Sequence, residues 1–120
     1  MTRAEEILDK YVQKIPKSIL GAEKINVIIE LVQHMPGDEK VVLHEMVNYI
    51  LTLMIEKEAS DIEIGGVGTD NYIWFRVHGQ KSRVEELPRF GHLEASILIV
   101  SLLTNNQCKH LLVGRNLDFS

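Results

Sequence analysis

At 120 residues and 45% hydrophobic content, the chain has the size of one domain and enough apolar side chains to bury a core. Its formal net charge of −4 argues against a nucleic-acid-binding module, which usually carries a basic stripe. A single cysteine, Cys108, excludes an internal disulfide framework. The sequence shows neither a signal-peptide pattern nor an apolar run of the roughly 20 residues that span a membrane, so we expect a cytoplasmic protein.

The first part of the chain predicts two helices. Thr2 and Glu5 form a capping-box pattern, and the helix that follows is expected to stop at Pro16. A second helix is predicted from near Gly21 to Pro36. Apolar residues at helical spacing predict the buried faces, which are Ile7, Leu8, Tyr11, Val12 and Ile15 in the first helix and Ile25, Ile28, Ile29, Val32 and Met35 in the second.

A third and longer helix is predicted to begin at a cap on Asp38 and to run to about Lys57. It carries the motif His44-Glu45-Met46-Val47-Asn48, which differs from the zinc-protease motif His-Glu-x-x-His because Asn48 replaces the second metal ligand. We therefore predict a surface histidine and no metal site. The expected buried stripe comprises Val42, Met46, Val47, Ile50, Leu53 and Met54.

From Asp61 the apolar period changes from that of a helix to that of a strand. Ile62 and Ile64 alternate with acidic residues, which predicts a half-buried strand. A second strand is predicted over Tyr72 to Val77 and a short third one over Lys81 to Glu85. In the second strand, one side carries Ile73, Phe75 and Val77, and the other carries Tyr72, Trp74 and Arg76.

The cluster Gly65-Gly66-Val67-Gly68 lies between the first two predicted strands. A nucleotide-binding P-loop requires Gly-x-x-x-x-Gly-Lys followed by Ser or Thr, but none of the eight glycines in this chain precedes a lysine. The cluster also does not open a predicted helix, where backbone amides converge on a phosphate. We therefore predict a plain hairpin loop and no ATP hydrolysis by this chain.

The last part of the chain predicts two helices and the start of a strand. The run Leu93–Leu103 is apolar on most sides, as in a buried helix. Thr104 and Gln107 form a second capping-box pattern, and Gly114 is expected to end that helix. Asn116–Ser120 have the pattern of a strand that is cut short.

This order of elements predicts an α+β fold, with a helical segment over residues 1–58 and a mixed part over residues 59–120 in one compact domain. The helices are expected to cover one face of a small antiparallel sheet. The face with Tyr72, Trp74 and Arg76 is then either an exposed interface, since aromatic residues and Arg are typical of binding hot spots, or it is covered by the first helices.

Three motifs in register carry a resemblance over about Leu51 to Ser120. They are Ala59-Ser60-Asp61-Ile62-Glu63-Ile64, Arg76-Val77-His78-Gly79, and Leu102 to Gln107 followed by Leu117-Asp118-Phe119-Ser120. Together they resemble the N-terminal domain of the bacterial hexameric ATPases that drive type IV pili, twitching motility and type II secretion. Glu63 stands where that family usually has His, and His78 stands where it usually has an acid. This exchange predicts a cross-strand contact between Glu63 and His78.

The resemblance implies a PAS-like, non-catalytic assembly or regulatory domain with no cofactor and no metal. In that family the domain packs on the ATPase domain of the same or a neighbouring subunit in a homo-oligomer, and a separate C-terminal domain hydrolyses ATP. The candidate interface and motif residues are Asp61, Trp74, Arg76, Gly79 and Asp118. The alternatives are a stand-alone adaptor or small-ligand sensor of a motility or secretion complex, and an enzyme built from distant His and acidic residues.

Overall fold

The computed structural model describes residues 2–66 and 68–102, and these form an α+β fold. The helices are α1 (Arg3–Val12), α2 (Ala22–Gln33), α3 (Gly37–Glu56) and α4 (His92–Val100), and the strands are β1 (Ala59–Glu63), β2 (Trp74–Val77) and β3 (Gln80–Arg83). The α+β prediction is therefore confirmed. The predicted helix from Thr104 to Gly114, the predicted strand Asn116–Ser120, Cys108 and Asp118 lie outside the described residues.

The beginning of α1 has the predicted capping box. The Glu5 backbone N–H donates to Thr2 Oγ1 at 3.2 Å, and the Thr2 backbone N–H donates to Glu5 Oε1 at 3.0 Å. These bonds satisfy backbone donors that the first turn of a helix leaves without intrahelical partners. The helix then buries its apolar face, which comprises Ala4, Ile7, Leu8 and Tyr11.

The beginning of α3 differs from the sequence prediction. Pro36, not Asp38, is the N-cap, and its carbonyl oxygen accepts bonds from the N–H groups of Glu39 and Lys40, both at 3.1 Å. Proline is tolerated at this position because a backbone N–H here would have no partner within the helix, so its absence costs no helical hydrogen bond. Asp38 lies in the first turn, where its negative charge still favours the helix dipole.

The buried face of α3 is also rotated from the prediction. Leu43, Ile50 and Glu39 are buried, whereas the predicted stripe is only partly buried except for Ile50. In α2, the predicted Ile28, Ile29 and Val32 are buried, but Ile25 is 44% exposed. Spacing alone selects a broad apolar face, and the neighbouring helices decide which part of it is covered.

The three strands form an antiparallel sheet in the order β1-β2-β3. A two-residue turn joins β2 to β3, and both of its residues, His78 and Gly79, have positive φ values of 51° and 81°. This is the geometry of a type I′ turn, whose twist matches that of the flanking strands. The predicted hairpin of β1 and β2 is confirmed by their antiparallel pairing.

One hydrophobic core lies between the helices and the inner face of β2. Phe75 of β2 and Ile73, just before that strand, are each 1% exposed and belong to the same buried cluster as Ile7, Leu43 and Ile97 from three of the helices. No helix within the described ranges is long and apolar enough to cross a membrane.

The helices cover only the central part of the sheet. Residues 60–63 of β1 are exposed, including Ile62 at 36%, and all four residues of β3 are exposed. The prediction of a half-buried first strand was therefore wrong for Ile62. Apolar and acidic residues do alternate along β1. However, β1 is an edge strand that the helices do not cover, so Ile62 is exposed to solvent.

Candidate interaction surface on the open sheet face

The outer face of the sheet carries two rows of side chains. Cross-strand pairing places Glu63, Trp74 and Arg83 in one row. It places Asp61, Arg76 and Lys81 in the next. Residues directly opposite one another on adjacent strands point to the same face, so these six side chains form one surface, which we call the open face. In the described part of the chain no helix covers it, and Arg76 and Lys81 are exposed.

Trp74 is the aromatic centre of the open face and is half-buried. Its indole N–H donates to the Thr69 carbonyl oxygen at 2.8 Å, which fixes the ring against the β1–β2 loop. The Lys81 ammonium lies 5.3 Å from the ring centroid, within the range of a cation–π interaction. The ring therefore presents a rigid apolar surface with a positive charge beside it.

Two ion pairs connect the strands across this face. Lys81 Nζ lies 2.6 Å from Glu63 Oε2, and Arg76 Nε lies 3.5 Å from Asp61 Oδ2. Arg76 also donates from Nη1 to the Gly79 carbonyl oxygen at 3.3 Å. All four charged side chains are substantially exposed, so solvent screens these pairs and each contributes about 0 to 1 kcal/mol. They order the side chains more than they stabilise the fold.

A second aromatic group adjoins the open face at the start of β2. Tyr72 follows a tight turn in which Asp70 and Asn71 have φ values of 55° and 64°. The guanidinium carbons of Arg83 and Arg89 lie 4.6 Å and 4.4 Å from the Tyr72 ring centroid. Arg89 comes from the segment before α4, so only the folded chain brings it to this ring. The sequence analysis did not identify Arg89.

The structure brings together four of the five residues predicted from sequence. Asp61, Trp74 and Arg76 lie on the open face, and Gly79 forms the adjoining turn. Asp118 lies outside the described residues. The open-face interpretation of the sequence is supported, because the described part of the first helices packs on the opposite side, at Ile73 and Phe75.

The predicted contact between Glu63 and His78 is wrong. Glu63 lies opposite Trp74 and bonds to Lys81, whereas His78 lies in the turn at the other end of β2. There, His78 Nε2 is 3.4 Å from Glu58 Oε2, and both side chains are about three-quarters exposed. The error arose because the register of β1 on β2 was not known from sequence.

Two other chemical candidates from the sequence, His44 and Gly65, lie within the described residues. His44 is exposed, as predicted, and its Nε2 lies 2.7 Å from the Ser101 carbonyl oxygen. Within the described ranges, no group of three His, Cys, Asp or Glu side chains could hold a metal ion. Gly65, from the glycine cluster, packs against α4, and a Cβ added there would lie 2.6 Å from the Ala95 Cβ.

Among the described residues, one depression of about 520 Å³ lies between the β1–β2 loop, at Gly65, Gly66 and Asn71, and the beginning of α4 at His92. A depression of about 280 Å³ is lined by the end of α1 and by Lys24 and Leu93. Another of about 300 Å³ lies between α1 and α2. Between the helices and the described inner face of the sheet, Ile73 and Phe75 are packed at 1% exposure. A small-ligand sensor would need a pocket between the sheet and the helices, where these two side chains are packed.

A buried polar cluster joins α1 to α3, and the sequence analysis did not predict it. Glu39 is 3% exposed and accepts hydrogen bonds from the Tyr11 hydroxyl and the Lys10 ammonium. Burial raises the pKa of Tyr11 to about 12, and the bond to Glu39 adds to this effect. Burial also pushes the pKa of Glu39 upward, but the bonds from Lys10 and Tyr11 outweigh it, so the pKa of Glu39 is lowered.

The fold and this surface define a class of structure, an α+β domain with an exposed antiparallel sheet face. Comparison of the chain with protein-family models, with curated proteins and with solved structures finds no match.

Proposed function

We propose that this chain is a non-catalytic assembly or regulatory domain that binds a protein partner through its open sheet face. The observation that carries the proposal is the position of Trp74, held by Thr69 and flanked by Lys81 and Arg76 on a face that no described helix covers. Aromatic residues and Arg supply most of the energy at binding hot spots, and here they lie side by side on a rigid strand.

The shape of this surface favours a protein over a small molecule. Ligand pockets are concave and bury most of their ligand, whereas the open face is a pleated sheet surface with two rows of exposed or half-exposed side chains. The ring of Trp74 and the stems of Lys81 and Arg76 offer apolar area, and the charged groups surround it. This is the arrangement of an interface with an apolar centre and a polar rim.

The resemblance in the sequence supports one particular partner. Asp61, Arg76 and Gly79 carry the motifs shared with pilus and secretion ATPases, and Arg76, on the central strand, contacts both Asp61 on β1 and Gly79 in the β2–β3 turn. We infer that the open face packs on the ATPase domain of the same or a neighbouring subunit in a cytoplasmic homo-oligomer. Rigid-body movement of the domain would then transmit the nucleotide state of the ATPase. A stand-alone adaptor of a motility or secretion complex would use the same face for another component.

Binding to an isolated ATPase domain tests this proposal. The partner is the C-terminal domain of a pilus or secretion ATPase from the same organism, and the affinity is measured by calorimetry. We expect Trp74→Ala to weaken binding by about tenfold or more. Tyr49→Ala is the matched control, because Tyr49 is an aromatic residue on α3 that is 52% exposed and lies off the open face.

Equal losses from the two substitutions would overturn the assignment of the open face. If the ATPase domain does not bind but the open face retains another component of the machine from that organism, the adaptor alternative holds. ATP turnover by the purified chain that survives removal of contaminants would overturn the non-catalytic assignment.

A further inference from the structure

We propose that the outer edge of β3 binds an extended acidic segment of the partner, which adds to the sheet as a fourth strand. This inference deepens the proposed function by naming the chemistry of the partner, and it rests on that function. It is based on the backbone direction of β3, on the charges that β3 presents, and on a neighbouring group of guanidiniums.

The backbone of β3 has hydrogen-bonding groups directed away from the sheet. In an antiparallel ladder, the N–H and C=O groups of successive residues point alternately toward the neighbouring strand and away from it. The Val84 N–H bonds to the Ile73 carbonyl oxygen at 2.8 Å, so the backbone groups of Val84 face β2. The backbone groups of Ser82 and Gln80, which lie two and four positions before Val84, face β2 as well. The groups of Lys81 and Arg83 therefore point outward, and among the described residues no strand pairs with that edge.

The same two residues place their charges on the open face. Lys81 and Arg83 lie two positions apart, so their side chains project from the same side of β3. A strand that bonds to their backbone would place alternate side chains beside them, and carboxylates at those positions would meet both cations. Each cation has donors for a further bond, since an ammonium has three N–H groups and a guanidinium has five.

The surroundings of Arg83 extend this positive site. Arg83 and Arg89 share the Tyr72 ring, and the described polar contact of Arg89 is the Asp70 carbonyl oxygen at 3.1 Å, a neutral acceptor. The nearest carboxylate to Arg83 is that of Glu85, 3.8 Å from Arg83 Nε. Arg83 and Arg89 therefore place two cations beside one ring, although the whole chain has a net charge of −4 and Arg89 also lines a depression with Glu5, Asp9 and Glu94. The charge is therefore local and suits an acidic segment.

The main competing occupant of this edge is a second copy of the chain. Antiparallel pairing of two β3 strands would bring Lys81 and Arg83 close to the same residues of the other copy, and like charges that face each other on a sheet are destabilising. The acidic strand β1 offers Asp61 and Glu63, but these already bond to Arg76 and Lys81 within their own sheet. The charges consequently favour an acidic segment of the partner over β3 or β1 of a second copy.

The test measures binding of a fluorescein-labelled peptide of alternating Glu and Val to the whole chain by anisotropy. One control peptide has Lys in place of Glu. Two other control peptides keep the Glu residues but carry N-methyl groups on every second amide. One is methylated on the amides of the Glu residues and the other on the amides of the Val residues. Only one of these two sets of amides faces β3, so only one of the two peptides loses the ability to pair with it. We expect the Glu peptide and one N-methylated peptide to bind, and the Lys peptide and the other N-methylated peptide to fail.

The protein variants separate a strand site from general charge attraction. Lys81→Gln with Arg83→Gln is expected to weaken binding about tenfold, because two charge-assisted contacts are lost. Lys14→Gln with Lys17→Gln removes the same charge from exposed positions outside the sheet and should leave the affinity unchanged. Circular dichroism of each variant checks that the fold is retained.

Three outcomes would overturn the inference. Equal binding of both N-methylated peptides would mean charge attraction without strand addition. Equal loss in both double variants would mean that the edge is not the site. Self-association in sedimentation that Lys81→Gln with Arg83→Gln strengthens, without peptide binding, would assign the edge to a second copy. If the edge fails but Trp74→Ala still weakens binding to the ATPase domain, the proposed function stands without this inference.

Discussion

The Tyr11 hydroxyl donates a 2.5 Å hydrogen bond to Glu39 Oε1, and this bond joins α1 to α3 through two residues that are 28 positions apart in sequence. Glu39 is 3% exposed and therefore depends on partners within the protein. Lys10 is the second partner, with a side chain that is 48% exposed. A buried carboxylate is tolerated only when it is paired and hydrogen-bonded, so Tyr11 and Lys10 together allow Glu39 to stay inside.

Removal of the Tyr11 hydroxyl should destabilise the fold. Tyr11→Phe keeps the packing of the ring but leaves Glu39 with one acceptor less satisfied, at a cost of about 1 to 3 kcal/mol in the free energy of unfolding. Tyr49→Phe, at an exposed position of α3, is the matched control and should change little. Urea denaturation measures both. Equal stability of the two variants would show that the bond to Glu39 contributes nothing net.

The stability should fall in acid because of Glu39. Its pKa in the folded chain is below the ordinary value of 4.5, so its contribution is fully present above that value. As the pH falls, the unfolded chain takes up the proton first, and the contribution is lost by the time the pH has passed the folded pKa. Glu39→Gln should be less stable at neutral pH but should show a flatter dependence as the pH falls from neutral through the ordinary value of 4.5. Parallel curves for the variant and the unaltered chain would contradict this.

Gly65 should not tolerate a side chain. Its φ of +70° disfavours any residue with a Cβ, and that Cβ would lie 2.6 Å from the Ala95 Cβ on α4. We expect Gly65→Ala to cost about 2 kcal/mol or more, because strain and overpacking add. Gly37→Ala is the control, since nothing lies within 4 Å of the added Cβ at the start of α3. Thermal denaturation should show a lower midpoint for Gly65→Ala alone.

One substitution in the turn between β2 and β3 should stabilise the fold. His78 has a φ of 51° in a two-residue turn followed by Gly79, and Asn is the residue most suited to that position ahead of Gly. His78→Asn should stabilise the chain by about 0.5 kcal/mol. Loss of the exposed contact to Glu58 should cost little. Gly79→Ala, which forces a Cβ into a φ of 81°, should destabilise it.

Glu63 should couple energetically to Lys81 and not to His78. The Glu63–Lys81 contact of 2.6 Å crosses the sheet at exposed positions, so a double-mutant cycle to Ala should give a coupling of about 0.2 to 1 kcal/mol. The cycle of Glu63 with His78 should be additive, because the two residues lie at opposite ends of β2. Coupling in the second cycle would mean that the register of β1 in solution differs from the one described.

The helices and the hairpin could be predicted because their signals are local. The Thr2 and Glu5 cap and the turn residues around Gly79 act within a few positions of the chain, whereas the predicted stop at Pro16 was wrong, because α1 ends at Val12. The two sides of β2 were predicted for the same reason, since a strand alternates its side chains whatever packs on it. Trp74 and Arg76 were therefore placed correctly on one face from sequence alone.

Tertiary structure decided everything that depends on residues far apart in the chain. It rotated the buried face of α3 toward Leu43, left Ile62 of the edge strand exposed and brought Arg89 to the ring of Tyr72. It also buried Glu39, a residue that sequence patterns place in solvent, because Tyr11 and Lys10 meet it across a helix interface. Periodicity determines which elements form and which way their side chains alternate. Burial and pairing are set by the neighbours that those elements meet, and short-range patterns carry no information about them.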